Sequence, residues 1–182
     1  MQVISEIKGK VYEDLIKYAS KRCDAVMFVF CKVPFRGKQL IELDKTKNKV
    51  KNKLEKSFLK DRAGNEWVFT GRYYPFVGNA VLASDILFYK FDDDLVSFLL
   101  KKNNLYDWLN PNSPEDIAFF KNGYCWLYSV AHEDICDIYC KSRKEYEELK
   151  KIGLKFYEND FEETPKDKLY FENYTPAESS KN

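Results

Sequence analysis

Apolar residues fix the first element of the chain. Ile4, Ile7, Val11, Leu15 and Tyr18 recur at steps of three and four, so the spacing predicts an amphipathic helix over about residues 3–21. The run Ala25-Val26-Met27-Phe28-Val29-Phe30-Cys31 breaks that period. It is continuous, rich in β-branched and aromatic residues, and stopped by Pro34 and Gly37, which predicts a central strand buried on both faces. Helical spacing returns at Val50, Leu54 and Phe58 and ends at a turn over Asp61-Arg62-Ala63-Gly64-Asn65. Trp67-Val68-Phe69-Thr70 reads as a short strand, and Gly71, Pro75 and Gly78 then interrupt an aromatic loop containing Arg72, Tyr73, Tyr74 and Phe76.

Ile86 to Phe91 is the next strand. It runs into Asp92-Asp93-Asp94, acids suited to the positive N-terminal end of a helix whose buried side is Leu95, Phe98, Leu99, Leu105 and Trp108. Ile117 to Lys121, then Asn122-Gly123, then Tyr124 to Ala131 is a hairpin pattern, because Asn-Gly suits the two left-handed positions of a type I′ turn. Alternation in its second strand expects Tyr124, Trp126 and Tyr128 on one face, with Trp126, Phe119 and Ile138 in one core. Ile135 to Cys140 extends the hairpin into a meander. Ser142 and Glu145 form a capping box ahead of Tyr146, Leu149 and Ile152, and Gly153 ends that helix. From Thr164 to Asn182 no periodicity remains. These elements predict an α+β fold, an antiparallel β-meander sheet packed against several helices, in one domain over 1–163 with a weakly ordered polar tail over 164–182.

Charge changes the picture little in total and more in detail. Thirty basic and 29 acidic residues leave a net charge of +1, which gives no general attraction to nucleic acid or membrane. Lys45 to Lys60 nevertheless holds seven lysines against one Glu, while the chain from Glu145 onward is acid-rich. A solvated helix face accounts for the lysines, so nucleic acid is not an expected partner. No apolar run approaches a membrane span, and the opening residues lack the pattern of a secretory signal. Five cysteines without a regular framework fit reduced thiols, and a cytoplasmic location is expected.

Candidate chemistry is sparse. No GxGxxG, P-loop, GxSxG or HExxH pattern occurs, which removes the common nucleotide and hydrolase signatures. No cofactor and no metal set is expected, since Cys136 and Cys140 lie four residues apart along a strand, too far to share a zinc ion without a bend. The sole histidine, His132, is followed by Glu133 and Asp134, and an imidazole beside carboxylates has the parts of an oriented general base. Adjacent strand residues point to opposite faces, so His132 and Glu133 cooperate only if the turn rotates one of them. Pro114-Glu115-Asp116 is a turn cap or an acidic patch offered to a partner. Arg72, Tyr73 and Tyr74 are of the types enriched at binding hot spots and equally of the types that fill a core edge.

The pattern W-x₅-PED-I-x-FF-x-NG-x-x-W-x-x-S-x-AHE-x-x-x-x-I, from Trp108 to Ile138, resembles a group of small proteins from Gram-positive bacteria. Many of them go under the name stage III sporulation protein AH, and some are similar to immunity or antitoxin-type proteins. The positions that carry the resemblance are Trp108, Pro114, Glu115, Asp116, Phe119, Gly123, Trp126, Ser129, His132 and Glu133, within about 31 of the 182 residues. Upstream, only Thr70-Gly71 and Tyr89 match the group's W-P-G-T motif and Tyr-containing strand. The resemblance implies no established chemistry, and no sporulation role follows from it.

Two functional readings follow. The favoured one is a macromolecule-binding module, an immunity or antitoxin-type inhibitor of a protein partner, with Arg72, Tyr73, Tyr74, Trp108, Glu115, Asp116, His132 and Glu133 as binding residues and no catalytic residue. The alternative is an enzyme or a protein that sequesters a small nucleotide ligand, in which His132, Glu133, Glu115 and Asp116 converge on a pocket lined by Trp108 and Trp126.

Overall fold

Ala25–Cys31 forms a strand, β1, with a neighbour on each side, which is why the run needs no polar face. The computed structural model describes residues 1–32, 35–64 and 84–156. Within them β1 joins β2 (Phe58–Gly64), β3 (Ser84–Lys90), β4 (Glu115–Lys121), β5 (Tyr124–Val130) and β6 (Ile135–Ile138) in one antiparallel sheet of order β2-β3-β1-β4-β5-β6. Four helices, α1 (Lys10–Ser20), α2 (Lys38–Lys53), α3 (Asp93–Leu99) and α4 (Arg143–Ile152), complete the α+β fold. The boundary expected at 163 and the tail beyond it lie outside the described residues, as do the expected strand Trp67–Thr70 and the aromatic loop after it.

All four helices bury their apolar stripes on the same face of the sheet. Tyr12, Leu15, Ile16 and Ala19 of α1, Leu43 and Val50 of α2, Leu95 and Leu99 of α3, and Tyr146 and Leu149 of α4 form one cluster with Val26, Phe28 and Phe30 of β1. The alternate β1 residues Ala25, Met27 and Val29 join a second buried cluster on the opposite face, with Ile86, Phe88, Ala118, Phe120, Cys125, Tyr128 and Val130. Side-chain alternation along one strand thus feeds two cores.

Several boundaries differ from the sequence reading. The first helix begins at Lys10, not near residue 3: Gly9 stands at φ 60, ψ −129, a conformation open to glycine, and resets the chain direction there. Residues ahead of it are extended. Val3 donates its N–H to Cys136 (2.8 Å), and Ile4 donates to Lys155 (2.8 Å), so the buried Val3 and Ile7 belong to a strap across the sheet end, while Ile4 is exposed. The second helix stops at Lys53, and residues 58–64 are the edge strand β2, not a helix end and turn. Pairing with β3, remote in sequence, overrides the local helical spacing. α3 is also shorter than expected, capped at its start by the Asp92 carboxylate, which accepts from the Leu95 N–H (3.1 Å), and followed by a separate 3₁₀ turn at Leu105–Asp107.

The hairpin, the third meander strand and the last cap are as predicted. Asn122 and Gly123 stand at φ 50 and φ 83 between β4 and β5. Ser142 Oγ accepts from the Glu145 N–H (3.2 Å), Glu145 Oε2 accepts from the Lys141 N–H (2.8 Å), and Gly153 ends α4 at φ 105. Phe119, Trp126 and Ile138 do share one core. The face expected for Tyr128 is wrong, because β5 carries a bulge: Phe119 pairs with Leu127 but Phe120 with Cys125, leaving Trp126 as the extra residue. Trp126 and Leu127 therefore both face the helices, and Tyr128 turns to the other side.

Three of the seven lysines in the lysine-rich segment pair with described acids. Lys51 pairs with Asp61 (2.8 Å), Lys45 with Glu42 (3.8 Å), and Lys47 with Asp44 (3.1 Å) and Asp85 (2.5 Å). Asp85 also takes Lys32 at 3.0 Å. Burial alone would raise the Asp85 carboxyl, but hydrogen bonds from Lys47 and Lys32 outweigh it and hold that group below its ordinary value of 3.8. A carboxyl held low in the folded state contributes stability above its unfolded value and loses it as pH falls through the folded one. Asp85→Asn should cost about 1–2 kcal/mol at neutral pH, between an exposed and a buried ion pair, and its unfolding curve should depend less on pH below 3.8 than the parent's. Equal acid sensitivity of the two proteins in chemical denaturation would refute this.

All five cysteines are free thiols, four of them buried. Burial pushes the thiol of Cys140 up to about 12 and those of Cys23, Cys125 and Cys136 up as well, so they serve as small apolar core groups. No helix among the described residues is long and apolar enough to cross a membrane.

Candidate functional site

Hairpin geometry brings the two sequence motifs together. Continuing the β4–β5 register by residue count past the Trp126 bulge sets Glu115 level with Ala131 and Asp116 level with Val130. A second bulge then re-aims them. On the β1 side, Met27 pairs with Ala118 and Val29 with Glu115, so Phe28 faces two residues of β4, and Asp116 there stands at φ 49. In a regular strand Glu115 and Asp116 would project to opposite faces; the left-handed step lets both reach the same turn.

That turn is Ala131–Glu133, one 3₁₀ turn closed by Asp134 at φ 51, ψ 34. Its first N–H, of Ala131, donates to Asp116 Oδ1 at 3.0 Å, a buried bond that fixes the turn to β4. His132 Nδ1 lies 3.0 Å from Glu115 Oε1, and its Nε2 lies 3.9 Å from Glu133 Oε1. The turn does rotate neighbouring side chains toward each other, as cooperation between His132 and Glu133 requires. The imidazole is 52% exposed and Glu133 46%, whereas Glu115 is 14% exposed, so the histidine bridges a partly buried acid and a solvated one. Chemically the group is an imidazole flanked by carboxylates: a proton-sharing pair, a set of cation ligands, and a patch of negative charge.

Trp108, expected both on the buried side of a helix and among the binding residues, is part of the helix-side core and not of a binding surface. Its ring stacks on Phe28 (centroids 6.1 Å, 16° between planes) and tilts against Phe98 (5.4 Å), and its N–H donates to the Tyr12 hydroxyl at 3.0 Å. Trp126 is buried on the same face with its N–H on Glu145 Oε1 at 2.8 Å. Two indoles engaged in the core cannot line a pocket around His132. Arg72, Tyr73 and Tyr74 lie outside the described residues.

The surroundings supply residues that the motif reading missed. Asp134 lines a recess of about 430 Å³ together with Gln2, Ile4, Lys8, Asn104 and Tyr106, formed where the N-terminal strap crosses the sheet end. The long-range bridges Gln2–Asp137 and Lys8–Asn104 build it, and no local signal in the sequence announces them. A second recess, of about 340 Å³, lies between α2 and α3, with Lys53, Lys56, Asp94, Phe98 and Lys101 in its walls. Neither contains His132, which stands on open surface beside the first. Leu109, 40% exposed, follows the buried Trp108 in the segment leading to Glu115. No protein-family model, curated protein or solved structure matches this chain.

Proposed function

We propose that this chain is a protein-binding module of the immunity or antitoxin kind, docking a basic surface of its partner through the end of the sheet that carries Glu115, His132, Glu133 and Asp134. The observation behind this reading is the convergence of the Pro114–Asp116 and Ala131–Asp134 segments into a rigid, acid-rich turn on open surface. A turn tied to β4 by a buried hydrogen bond loses little conformational freedom on binding, and solvated acids of one sign steer an oppositely charged partner. The resemblance of the segment from Trp108 to Ile138 to proteins that include immunity-like members supports the same reading. Replacing both Glu133 and Asp134 by Lys should abolish retention of a basic protein that the parent retrieves from the source cells, with the two purified components reproducing the difference. A partner held equally by both baits contradicts this placement.

The second reading, an enzyme or nucleotide-binding protein, is supported by one geometric fact, the 3.0 Å contact between His132 and Glu115, which is how a general base is oriented. The pocket it needs between Trp108 and Trp126 is filled by those indoles themselves. His132→Gln is therefore expected to leave no turnover to lose. A folded variant that loses about 100-fold of a measured nucleotide hydrolysis favours this second reading.

A further inference from the structure

We infer that Glu115, Asp116 and His132 form a seat for one divalent first-row transition cation, zinc foremost. One ligand atom from each of the three residues lies within 4.8 Å of the other two. An ion about 2.0–2.2 Å from each would hold them roughly 3.4 Å apart, so the widest pair closes by no more than about 1.4 Å and the His132–Glu115 pair, at 3.0 Å, opens slightly, both within the reach of side-chain rotation. The donors come from two segments that β4–β5 pairing and the Asp116 bulge fix beside each other, so the seat is part of the fold. One neutral imidazole with two carboxylates suits zinc and its neighbours in the first row, while calcium and magnesium prefer all-oxygen sets.

Two further features fit an ion at this place. A histidine that ligates through one ring nitrogen usually gives its other N–H to a carboxylate, and Glu133 Oε1 waits 3.9 Å from His132 Nε2 while Nδ1 faces Glu115. With the cation on Nδ1, the ring proton resides on Nε2, toward Glu133. On the other side, the Ala131 N–H on Asp116 Oδ1 orients that carboxylate. Three protein ligands leave at least one position for water, and the half-exposed imidazole gives the ion a way in. The seat also offsets the mutual repulsion of Glu115, Asp116 and Glu133.

The test needs no partner protein, so its failure leaves the docking proposal standing. Untagged, ¹⁵N-labelled protein is titrated with zinc chloride while the ring signals of the single histidine are followed. They should shift saturably at one ion per chain. His132→Ala alters an exposed side chain and keeps all five cysteines, so it subtracts any thiol-bound metal; its zinc affinity and that of Glu115→Gln should fall about 10-fold or more. Glu133→Gln should fall less. Ring signals that stay put under excess zinc, or an affinity unchanged in His132→Ala, overturn the assignment. Should Glu115→Gln not fold, His132→Ala decides alone.

Discussion

Trp126→Ala should destabilise the protein by about 3–5 kcal/mol, the scale of deleting a buried aromatic side chain, and lower the melting temperature by roughly 6–20 °C. The indole is buried between the sheet and the helices, and two separate contacts end with it. Its ring stacks on Tyr18 of α1 at 6.0 Å, and its N–H donates to Glu145 of α4. Tyr18 is itself tied to α4, donating to Glu148 (2.8 Å) under the Arg22 guanidinium, which pairs with the same carboxylate. Removing the indole therefore loosens the joint between α1 and α4 as well as opening a cavity. Thermal unfolding measures it directly, and an unchanged melting temperature would take Trp126 out of the core and restore it as a candidate contact residue.

Trp108→Ala should cost a similar amount, about 3–5 kcal/mol. Here the loss spreads through a buried chain: the indole N–H donates to the Tyr12 hydroxyl, which donates on to the Leu99 carbonyl at 2.9 Å, joining the segment before β4 to α1 and α3. Burial pushes the Tyr12 phenol up, so it stays protonated and keeps that second bond. Trp108→Phe retains much of the apolar volume and removes only the donor, and should cost no more than about 1–2 kcal/mol. If the alanine variant melts with the parent yet loses partner binding, Trp108 belongs to the docking surface and the core assignment fails. The two variants also separate packing from hydrogen bonding at one site.

What could be read from the sequence was local. Asn122-Gly123 specifies the hairpin because its two left-handed positions have few other residues to choose from, and Ser142 with Glu145 specifies a helix start by a short-range bond. The N-terminal strap was hidden, since Ile4 and Ile7 are spaced with Val11 like a helix face, whereas Val3 and Ile7 are buried by contacts with residues beyond 100. β2 was hidden for the same reason: residues 58–64 acquire strand geometry only against β3. The site was half visible. Both motifs stood out, and counting outward from the hairpin turn places them side by side; what residue spacing cannot show is the bulge at Asp116, which decides that two adjacent acids face one turn. Trp108 reads both as a buried position and as a binding residue, because an aromatic residue beside a motif looks alike whether it fills a core or a binding surface, and the buried reading is the one that holds.

Docking through the acidic end of the sheet is tested by site-specific photo-crosslinking in the source cells. Benzoylphenylalanine is placed at position 133, on the turn beside His132, and in a separate protein at position 45, on the lysine-rich helix. A discrete adduct with a basic protein is expected from position 133 and none from position 45. An adduct from position 45 alone, or from neither, would contradict docking there.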